Sequence, residues 1–322
     1  MEAITILSVN YLSAKFIRFQ EWCLRKITSE NTRLQWLIVN NSPDDSELPI
    51  LRQIPNALIV PSDVRIRYSH DKISPLVSPR STQHGRALNE LLPLVKTSFG
   101  LIMDPDCFVL CHNWDLLMLS FMKMHEITVL GAPYHPSRRL KFGQKFPTVT
   151  FMLFQSGQFQ ALNIDFCPGL YPRFDSYLYR NSLLRRLKHG TWKDTGWRTK
   201  VKCEHQGLRT HCFDTPVLRP MQNRSDLRWL AAQIVPERYL TWPRKLFERP
   251  DEGLLSEAEI FAAPGGERYE EYYFKGKQVL CHLRGVSQLN KVFDGEEAQF
   301  WARRIAAKLG LNYDKFVDEI NQ

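Results

Sequence analysis

Two aspartates separated by a proline follow a short apolar run, where Phe99–Met103 leads into Asp104, Pro105 and Asp106. An apolar run of this length predicts a buried strand, and open α/β sheets bind their ligands where such strands end. Pro105 restrains Asp104 toward an extended backbone. Two carboxylates held this close repel each other unless a cation joins them, and their hard oxygens suit Mg²⁺ or Mn²⁺, which in turn bind phosphates. The alternative is an ordinary turn beside a helix cap.

Size and composition are those of a globular protein. The chain has 322 residues, 43% hydrophobic and 24% charged, which is enough to bury a substantial core. Its net charge of +9 is compatible with nucleotides, an anionic membrane surface or nucleic acid as partners. No apolar run approaches the roughly 18 residues of a membrane-spanning helix. Segment 1–5 lacks the basic region of a signal peptide, and the seven cysteines are scattered, so we expect a cytoplasmic protein with reduced thiols.

The order of apolar segments predicts an α/β architecture that begins with a βαβ unit, in which Ser13 caps the first helix. The predicted strands cover 3–9, 34–39, 57–60, 99–103, 127–130, 149–154, 272–274 and 278–283, the last two as a hairpin. The predicted helices cover 16–27, 84–95, 113–124, 177–188, 296–309 and 313–320. We therefore expect one α/β domain with an elaborated C-terminal part, and not two independent domains.

The order of these pieces resembles that of the family 2 glycosyltransferases, in particular their bacterial rhamnosyltransferase-like members. The matching segments are 8–11 (S-V-N-Y), 38–45 (I-V-N-N-S-P-D-D), 85–89 (G-R-A-L-N) and 101–106 (L-I-M-D-P-D). Their order and spacing carry the resemblance, which covers about the first 215 residues and the segment around His282. Asn40 stands where the family usually has an aspartate that holds the nucleoside. Its amide can still hydrogen-bond a base or ribose but adds no charge.

The resemblance implies a GT-A fold, a Rossmann-like, mixed and mostly parallel sheet flanked by helices. It implies a domain over 1–290, with a nucleotide-binding half over about 1–110 and an acceptor-binding half over about 111–290, and a C-terminal helical extension over 291–322. The implied reaction transfers a sugar, with inversion at the anomeric carbon, from a nucleoside-diphosphate sugar to a hydroxyl of a saccharide or lipid-linked acceptor. The implied cofactor is Mn²⁺ or Mg²⁺.

The resemblance also marks individual residues. Those implied for the nucleotide are Val9, Tyr11, Asn40, Asn41, His84, Gly85, Asp104 and Arg284, and those for the metal are Asp104, Asp106 and His282. Simpler interpretations stay open: an Asx turn for Asn40 and Asn41, packing for Tyr11, a helix start for His84 and a structural hydrogen bond for His282. A zinc site at Cys203, His205, His211 and Cys212 is disfavoured because the spacing fits no common zinc pattern.

The transfer needs a base that takes the proton of the acceptor hydroxyl, and a carboxylate is the usual solution. Asp194, in a loop flanked by Trp192 and Trp197, is the candidate, with Asp175 as the alternate acid. A helix cap is the simpler role for Asp194. Basic clusters at 138–145 and 185–188 form a solvated face or, alternatively, a peripheral contact with anionic lipid at the inner face of the membrane.

Two other classes of function stay open at this stage. One is a sugar nucleotidyltransferase, although such enzymes usually carry a glycine-rich signature after the first strand, and segment 8–13 has no glycine. The other is a carbohydrate- or nucleic-acid-binding protein without catalysis, although Asp104 and Asp106 would repel phosphates in the absence of a metal. The leading interpretation has no nucleic-acid partner and leaves the oligomeric state open.

Overall fold

The protein is described by a computed structural model over residues 1–62, 79–134, 146–168, 195–216, 249, 253–285 and 295–321. The strands are β1 (Glu2–Asn10), β2 (Thr32–Asn40), β3 (Ala57–Pro61), β4 (Phe99–Met103), β5 (Cys107–Val109), β6 (Val129–Pro133), β7 (Pro147–Gln155), β8 (Thr210–Cys212), β9 (Tyr269–Phe274) and β10 (Lys277–Leu283). The α-helices are α1 (Ala14–Ile27), α2 (Leu48–Arg52), α3 (Pro79–Leu91), α4 (Trp114–Met124), α5 (Ser156–Ala161), α6 (Trp197–His205), α7 (Glu257–Ala262), α8 (Glu296–Lys308) and α9 (Tyr313–Asn321).

Seven strands form one mixed sheet in the order β3-β2-β1-β4-β7-β6-β8. The first four are parallel to one another, β7 runs antiparallel to both β4 and β6, and β8 is parallel to β6. Helices cover the sheet, and two more lie at the C-terminal end of the chain. This architecture confirms the predicted fold class, a mixed and mostly parallel sheet flanked by helices with a helical C-terminal part.

Alternate residues of the central strands supply two apolar cores, one on each face of the sheet. Ile4 and Ile6 of β1 belong to the core that contains α1, whereas Leu7 and Val9 belong to the core that contains α3. Every residue of β4 is buried. Strands buried on both faces appear in a sequence as nearly continuous apolar runs, which is why the runs before Asn10 and Asp104 predict these strands correctly.

A second, three-stranded sheet has the order β5-β10-β9 and is antiparallel throughout. Strands β9 and β10 form the predicted hairpin, with an irregularity between Gln278 and Leu280 that shifts the register. Beyond this bulge, His282 of β10 pairs with Glu270 on one side and with Cys107 of β5 on the other. This sheet therefore joins the segment that follows Asp106 to a strand near the end of the chain.

The last helix, α9, packs against α1, as a ring contact and a hydrogen bond show. The rings of Phe19 and Phe316 lie 5.0 Å apart, and the indole of Trp22 donates to Glu319 across 3.1 Å. Helices α8 and α9 lie within the predicted C-terminal extension, whereas the proposed boundary at 290 falls outside the described residues. In the part of the chain that the structure describes, no helix has the length and apolarity needed to cross a membrane.

The first helix begins differently from the prediction, because Ser13 precedes α1 but makes no side-chain cap. Its hydroxyl bonds to the amide oxygen of Asn10 across 3.1 Å. The backbone N–H of Ala14 donates instead to the carboxylate of Glu47, 3.2 Å away. A carboxylate at a helix N-terminus is stabilised by the helix dipole, so an acid distant in sequence replaces the expected serine cap.

Gly131 of β6 and Gly157 of α5 provide a matched test of how closely the strands approach. A Cβ on Gly131 would lie 2.0 Å from the carbonyl oxygen of Phe151, whereas a Cβ on Gly157 would meet no described atom within 4 Å. We expect Gly131→Ala to lower the free energy of unfolding by about 1–3 kcal/mol because the strands must move apart. Gly157→Ala should leave it unchanged or raise it by about 0.4–1 kcal/mol. Urea unfolding measures both, and a Gly131→Ala protein as stable as wild type would contradict the close approach.

Candidate functional site

The acid pair lies where β4 ends, on a loop that α1 holds in place. The side-chain amide of Gln20, which is 1% exposed, donates to the backbone oxygens of Asp104 and Cys107 across 2.6 Å each. The N–H of Asp104 donates to the oxygen of Thr150 in the neighbouring strand β7 across 3.0 Å. The loop is therefore tied to a helix on one side and to the main sheet on the other.

The end of β10 brings the predicted histidine to this loop. The N–H of Leu283 donates to the backbone oxygen of Asp106, and the N–H of Gly285 donates to its carboxylate, both across 2.9 Å. Gly285 has a φ of +76°, a conformation that glycine adopts at no steric cost. Because His282 directly precedes Leu283 in β10, these bonds place it beside Asp106.

Three predicted metal ligands meet at this point. The Nε2 atom of His282 lies 3.3 Å from a carboxylate oxygen of Asp106, and both residues are 5% exposed. One ligand atom from each of Asp104, Asp106 and His282 can be chosen so that all lie within 4.8 Å of one another. On the outer side of Asp104, the Nε2 atom of His84 lies 3.6 Å from its carboxylate.

A further acid, Glu270 of β9, completes the surroundings of the histidine. Its carboxylate lies 2.9 Å from Nδ1 of His282, while the Tyr272 hydroxyl donates to it across 3.0 Å. The guanidinium of Arg284 approaches the other carboxylate oxygen of Glu270 to 3.8 Å. Glu270 is 4% exposed, so these contacts form in a region with little water.

Burial and mutual repulsion perturb the titration of this cluster. Burial raises the pKa of Asp104, and the neighbouring Asp106 carboxylate raises it further, against the lowering effects of His84 and His282. Burial alone would lower the pKa of His282, but Asp106 and Glu270 together raise it to about 10. Without a metal, the histidine therefore carries a proton at neutral pH.

The residues present fit a divalent cation. Ligands on a hard cation at about 2.0–2.6 Å are separated by at most about 4–5 Å, which agrees with the 4.8 Å spacing of this group. Two carboxylates and one imidazole form a mixed O/N set that suits Mn²⁺, with Mg²⁺ favoured by the carboxylates alone. Because the ligand must be the neutral imidazole, cation binding would displace the proton of His282.

At the same edge of the main sheet, where β1 and β2 end side by side, lies a buried amide network. The side-chain N–H₂ of Asn10 donates to the oxygen of Asn40 across 2.9 Å and to Ser42 and Glu47 across 3.0 Å each. The backbone N–H groups of Ser13 and Ser42 donate to the amide oxygens of Asn10 and Asn40, respectively. Since a backbone N–H can only donate, these two bonds fix which amide atom is oxygen.

The network leaves two polar atoms for a ligand. The Nδ2 of Asn40 and the Oδ1 of Asn41 are buried and have no hydrogen-bond partner among the described residues. Asn40 is 4% and Asn41 6% exposed, and unpaired polar atoms at such depth cost free energy unless something binds them. Tyr11 follows β1 at this edge and is 44% exposed, so its ring is free to contact a ligand. Val9 lies in the apolar core, 8% exposed.

Gly85 has a packing role in addition to the predicted approach to a nucleotide. A Cβ at Gly85 would lie 2.7 Å from the backbone oxygen of Phe166. The Asn89 side chain, one turn further along α3, accepts from the N–H of Phe166 across 2.8 Å. The glycine and asparagine of the 85–89 segment thus fix α3 against the segment at 166–167, and α3 carries His84 toward Asp104.

Several predicted residues and segments fall outside the described residues: Asp194, Asp175, the helix over 177–188 and the basic clusters at 138–145 and 185–188. The residue after Asp194 is described, and its hydroxyl donates to the backbone oxygen of Ser81 in α3 across 3.1 Å. This residue is Thr195, and its acceptor Ser81 lies about one turn before His84 in α3. Asp194 therefore stays a prediction, and the residue that follows it is hydrogen-bonded to the helix that carries His84.

Glu270 and Gln20 were not predicted from the sequence. The hairpin was predicted to begin at Tyr272, which left Glu270 outside it, and the bulge hides the pairing of Glu270 with His282. A register counted from the turn without the bulge would place Cys281 opposite Glu270. Gln20 lies on the apolar face of α1, three or four residues from Phe16, Cys23 and Leu24. A polar residue on an apolar helix face is the sequence signal that could have identified it.

The raised pKa of His282 predicts how folding stability depends on pH. A group whose pKa is higher in the folded protein than in the unfolded one stabilises the folded state. For His282, this contribution is complete below the ordinary histidine pKa of 6.5 and is lost as pH rises through about 10. With a chelator present, we expect the free energy of unfolding to fall by a few kcal/mol between pH about 7 and about 10.5, and to fall less in His282→Gln. Urea unfolding across this range measures the difference. Parallel profiles for the two proteins would contradict a buried imidazolium.

Comparison with known proteins finds similarity in structure only. No protein-family model matches the chain, and no curated protein matches it in sequence. Mannosyltransferase PcManGT from Pyrobaculum calidifontis, solved with GDP-Man and Mn²⁺, is 12% identical with a TM-score of 0.41, over 65% of this chain and 54% of that chain. Residues 1–349 of S. aureus TarS, solved with UDP, are 16% identical with a TM-score of 0.37, over 52% and 50%. An active-site mutant of LgtC is 9% identical with a TM-score of 0.34, over 49% and 59%. The chain thus spans between half and three-fifths of these proteins, and the likeness concerns the fold.

Proposed function

We propose that this chain is a metal-dependent, inverting glycosyltransferase that uses a nucleoside-diphosphate sugar. The acceptor is a hydroxyl of a saccharide or a lipid-linked saccharide, as in polysaccharide assembly. The resemblance to rhamnosyltransferase-like proteins makes a hexose the first donor sugar to test. Nucleic acid has no part in the proposed reaction.

The observation that carries the proposal is the meeting of Asp104, Asp106 and His282 at the sheet edge where Asn40 and Asn41 offer unpaired polar atoms. A nucleoside diphosphate has a neutral base at one end and an anionic diphosphate at the other. The amides suit the base or ribose because they carry no charge. The acid and histidine cluster suits a cation that holds the diphosphate.

Each residue then has a role in holding the donor. Asn40 and Asn41 hydrogen-bond the base or ribose, and Tyr11 stacks on or flanks the base. Asp104 contacts the ribose or the cation, and His84 approaches the donor from α3. Arg284, 36% exposed, offers a planar fork that can pair with two diphosphate oxygens. A bound Mn²⁺ or Mg²⁺ would offset the negative charge that grows on the leaving diphosphate.

The base that takes the proton of the acceptor hydroxyl is Asp194 in this proposal, with Asp175 as the alternate. A lipid-linked acceptor would bring the protein to an anionic membrane surface from the cytoplasmic side. The basic clusters at 138–145 and 185–188 would serve that peripheral contact.

Replacement of one metal ligand tests the proposal. In a panel of sugar nucleotides, we expect a donor to raise the melting temperature of wild type in the presence of Mn²⁺ only. Loss of a residue that hydrogen-bonds a metal ligand lowers metal affinity by about 10–100-fold. Asp106→Asn changes a ligand itself, so Mn²⁺ binding should weaken by more than this, and donor binding should weaken with it. Asp318→Asn, on the exposed side of α9, makes the same charge change as a control. Donor binding by Asp106→Asn at wild-type strength would remove the metal assignment.

Products identify the reaction class. A transferase releases the nucleoside diphosphate, whereas release of pyrophosphate would indicate a sugar nucleotidyltransferase. Donor binding that is independent of Mn²⁺ and without turnover would favour a binding protein.

A separate experiment tests the base. Asp194→Asn should leave the donor dissociation constant unchanged and lower turnover by about 10²–10⁴-fold, the usual contribution of a general base. Asp175→Asn changes the alternate acid in the same way and should keep turnover if Asp194 is the base. Rates and donor affinity are measured together, and near-normal turnover in Asp194→Asn would exclude this residue as the base.

A further inference from the structure

We propose that Glu270 is a positioning residue that orients His282 for the cation and thereby makes the site prefer Mn²⁺ over Mg²⁺. The inference rests on the proposed function, because it concerns the same metal centre. Neither the sequence nor the resemblance assigned a role to Glu270.

The hydrogen bond between the two side chains decides which ring nitrogen of His282 keeps its hydrogen when a cation displaces the other one. Nδ1 of His282 lies 2.9 Å from the Glu270 carboxylate, and a carboxylate can only accept, so Nδ1 carries the hydrogen. In the neutral imidazole, the lone pair is then on Nε2, the atom 3.3 Å from the Asp106 carboxylate. The ring therefore presents its ligating nitrogen to the acid pair without having to turn.

Glu270 is itself held in place. It pairs directly with His282 across the β9–β10 ladder, so both side chains emerge on the same face of the small sheet. The Tyr272 hydroxyl donates to the carboxylate oxygen that also faces His282. With 4% exposure and one oxygen bonded to both the Tyr272 hydroxyl and the imidazole, the carboxylate has little freedom to leave the histidine.

This arrangement affects the two cations differently. An anionic partner on one ring nitrogen makes the other a more basic ligand. Imidazole is an acceptable ligand for Mn²⁺, whereas Mg²⁺ takes oxygen ligands and keeps several waters. Loss of the Glu270 contact should therefore weaken Mn²⁺ more than Mg²⁺, and the ratio of the two affinities reports the effect. A purely structural role for Glu270 would lower both affinities together.

The experiment uses the full chain and the metals alone. Dissociation constants for Mn²⁺, and for Mg²⁺ in competition with it, are measured for wild type, Glu270→Leu and Glu270→Gln. Glu271→Gln is the matched control. Its carboxylate is the next one along β9, is also buried, and binds Arg249 instead of His282. Circular dichroism verifies that each variant is folded.

We expect Glu270→Leu to lose about 10–100-fold in Mn²⁺ affinity, with a smaller loss for Mg²⁺. Glu270→Gln keeps an acceptor for Nδ1 but not the charge, and should fall between Glu270→Leu and wild type. Glu271→Gln should keep both affinities within about twofold, because its partner lies away from the metal ligands.

The outcomes separate the two proposals. If wild type binds no Mn²⁺, the proposed function fails and this inference fails with it. If wild type binds Mn²⁺ and folded Glu270→Leu keeps the wild-type affinities, or loses both in equal measure, the role of Glu270 alone is overturned. If Glu270→Leu does not fold, Glu270→Gln decides the question. The inference is then overturned if the ratio of Mn²⁺ affinity to Mg²⁺ affinity falls by less than about threefold relative to wild type.

Discussion

Three carboxylates, those of Asp104, Asp106 and Glu270, lie around the imidazole of His282, and the last two have little access to water. Burying charges of one sign costs free energy unless opposite charge or hydrogen bonds accompany them. A proton on His282, the guanidinium of Arg284 and the backbone N–H of Gly285 provide part of that compensation. The raised pKa of Asp104 shows that the compensation is incomplete. A divalent cation would complete this compensation, and the loop at which distant parts of the chain meet is where it would bind.

The fold meets this constraint by joining two sheets at one loop. The main sheet delivers Asp104 at the end of β4, and the small sheet delivers His282 through the pairing of β5 with β10. Gln20 holds the loop from α1, and the last helix, α9, packs on the same helix through Trp22. The parallel strands β1 and β2 end at the same edge, so the amide network and the acid cluster occupy neighbouring positions on one rim.

The sequence predicted the parts of this arrangement that depend on local patterns. Apolar runs identified the central strands, because strands buried on both faces leave few polar interruptions. The acid pair and His282 were predicted through chemistry and resemblance, and the structure brings them together. The serine cap was wrong, because Glu47, distant in sequence, binds the helix terminus instead. Glu270 escaped prediction because its partner depends on strand register. Asp194 remains a prediction, since it lies outside the described residues.

The bulge between Gln278 and Leu280 decides which residue of β9 lies opposite His282. With the same residues but no bulge, regular alternation from the turn would put Cys281 opposite Glu270 and His282 opposite Tyr269, whose ring stacks on Trp301. Deletion of Val279, which has no partner in β9, would remove the bulge and keep His282 opposite Glu270, whereas loss of the bulge without a deletion would give the histidine an aromatic neighbour. Related chains that keep this chemistry should therefore either retain the bulge or lack one residue of β10 before Cys281.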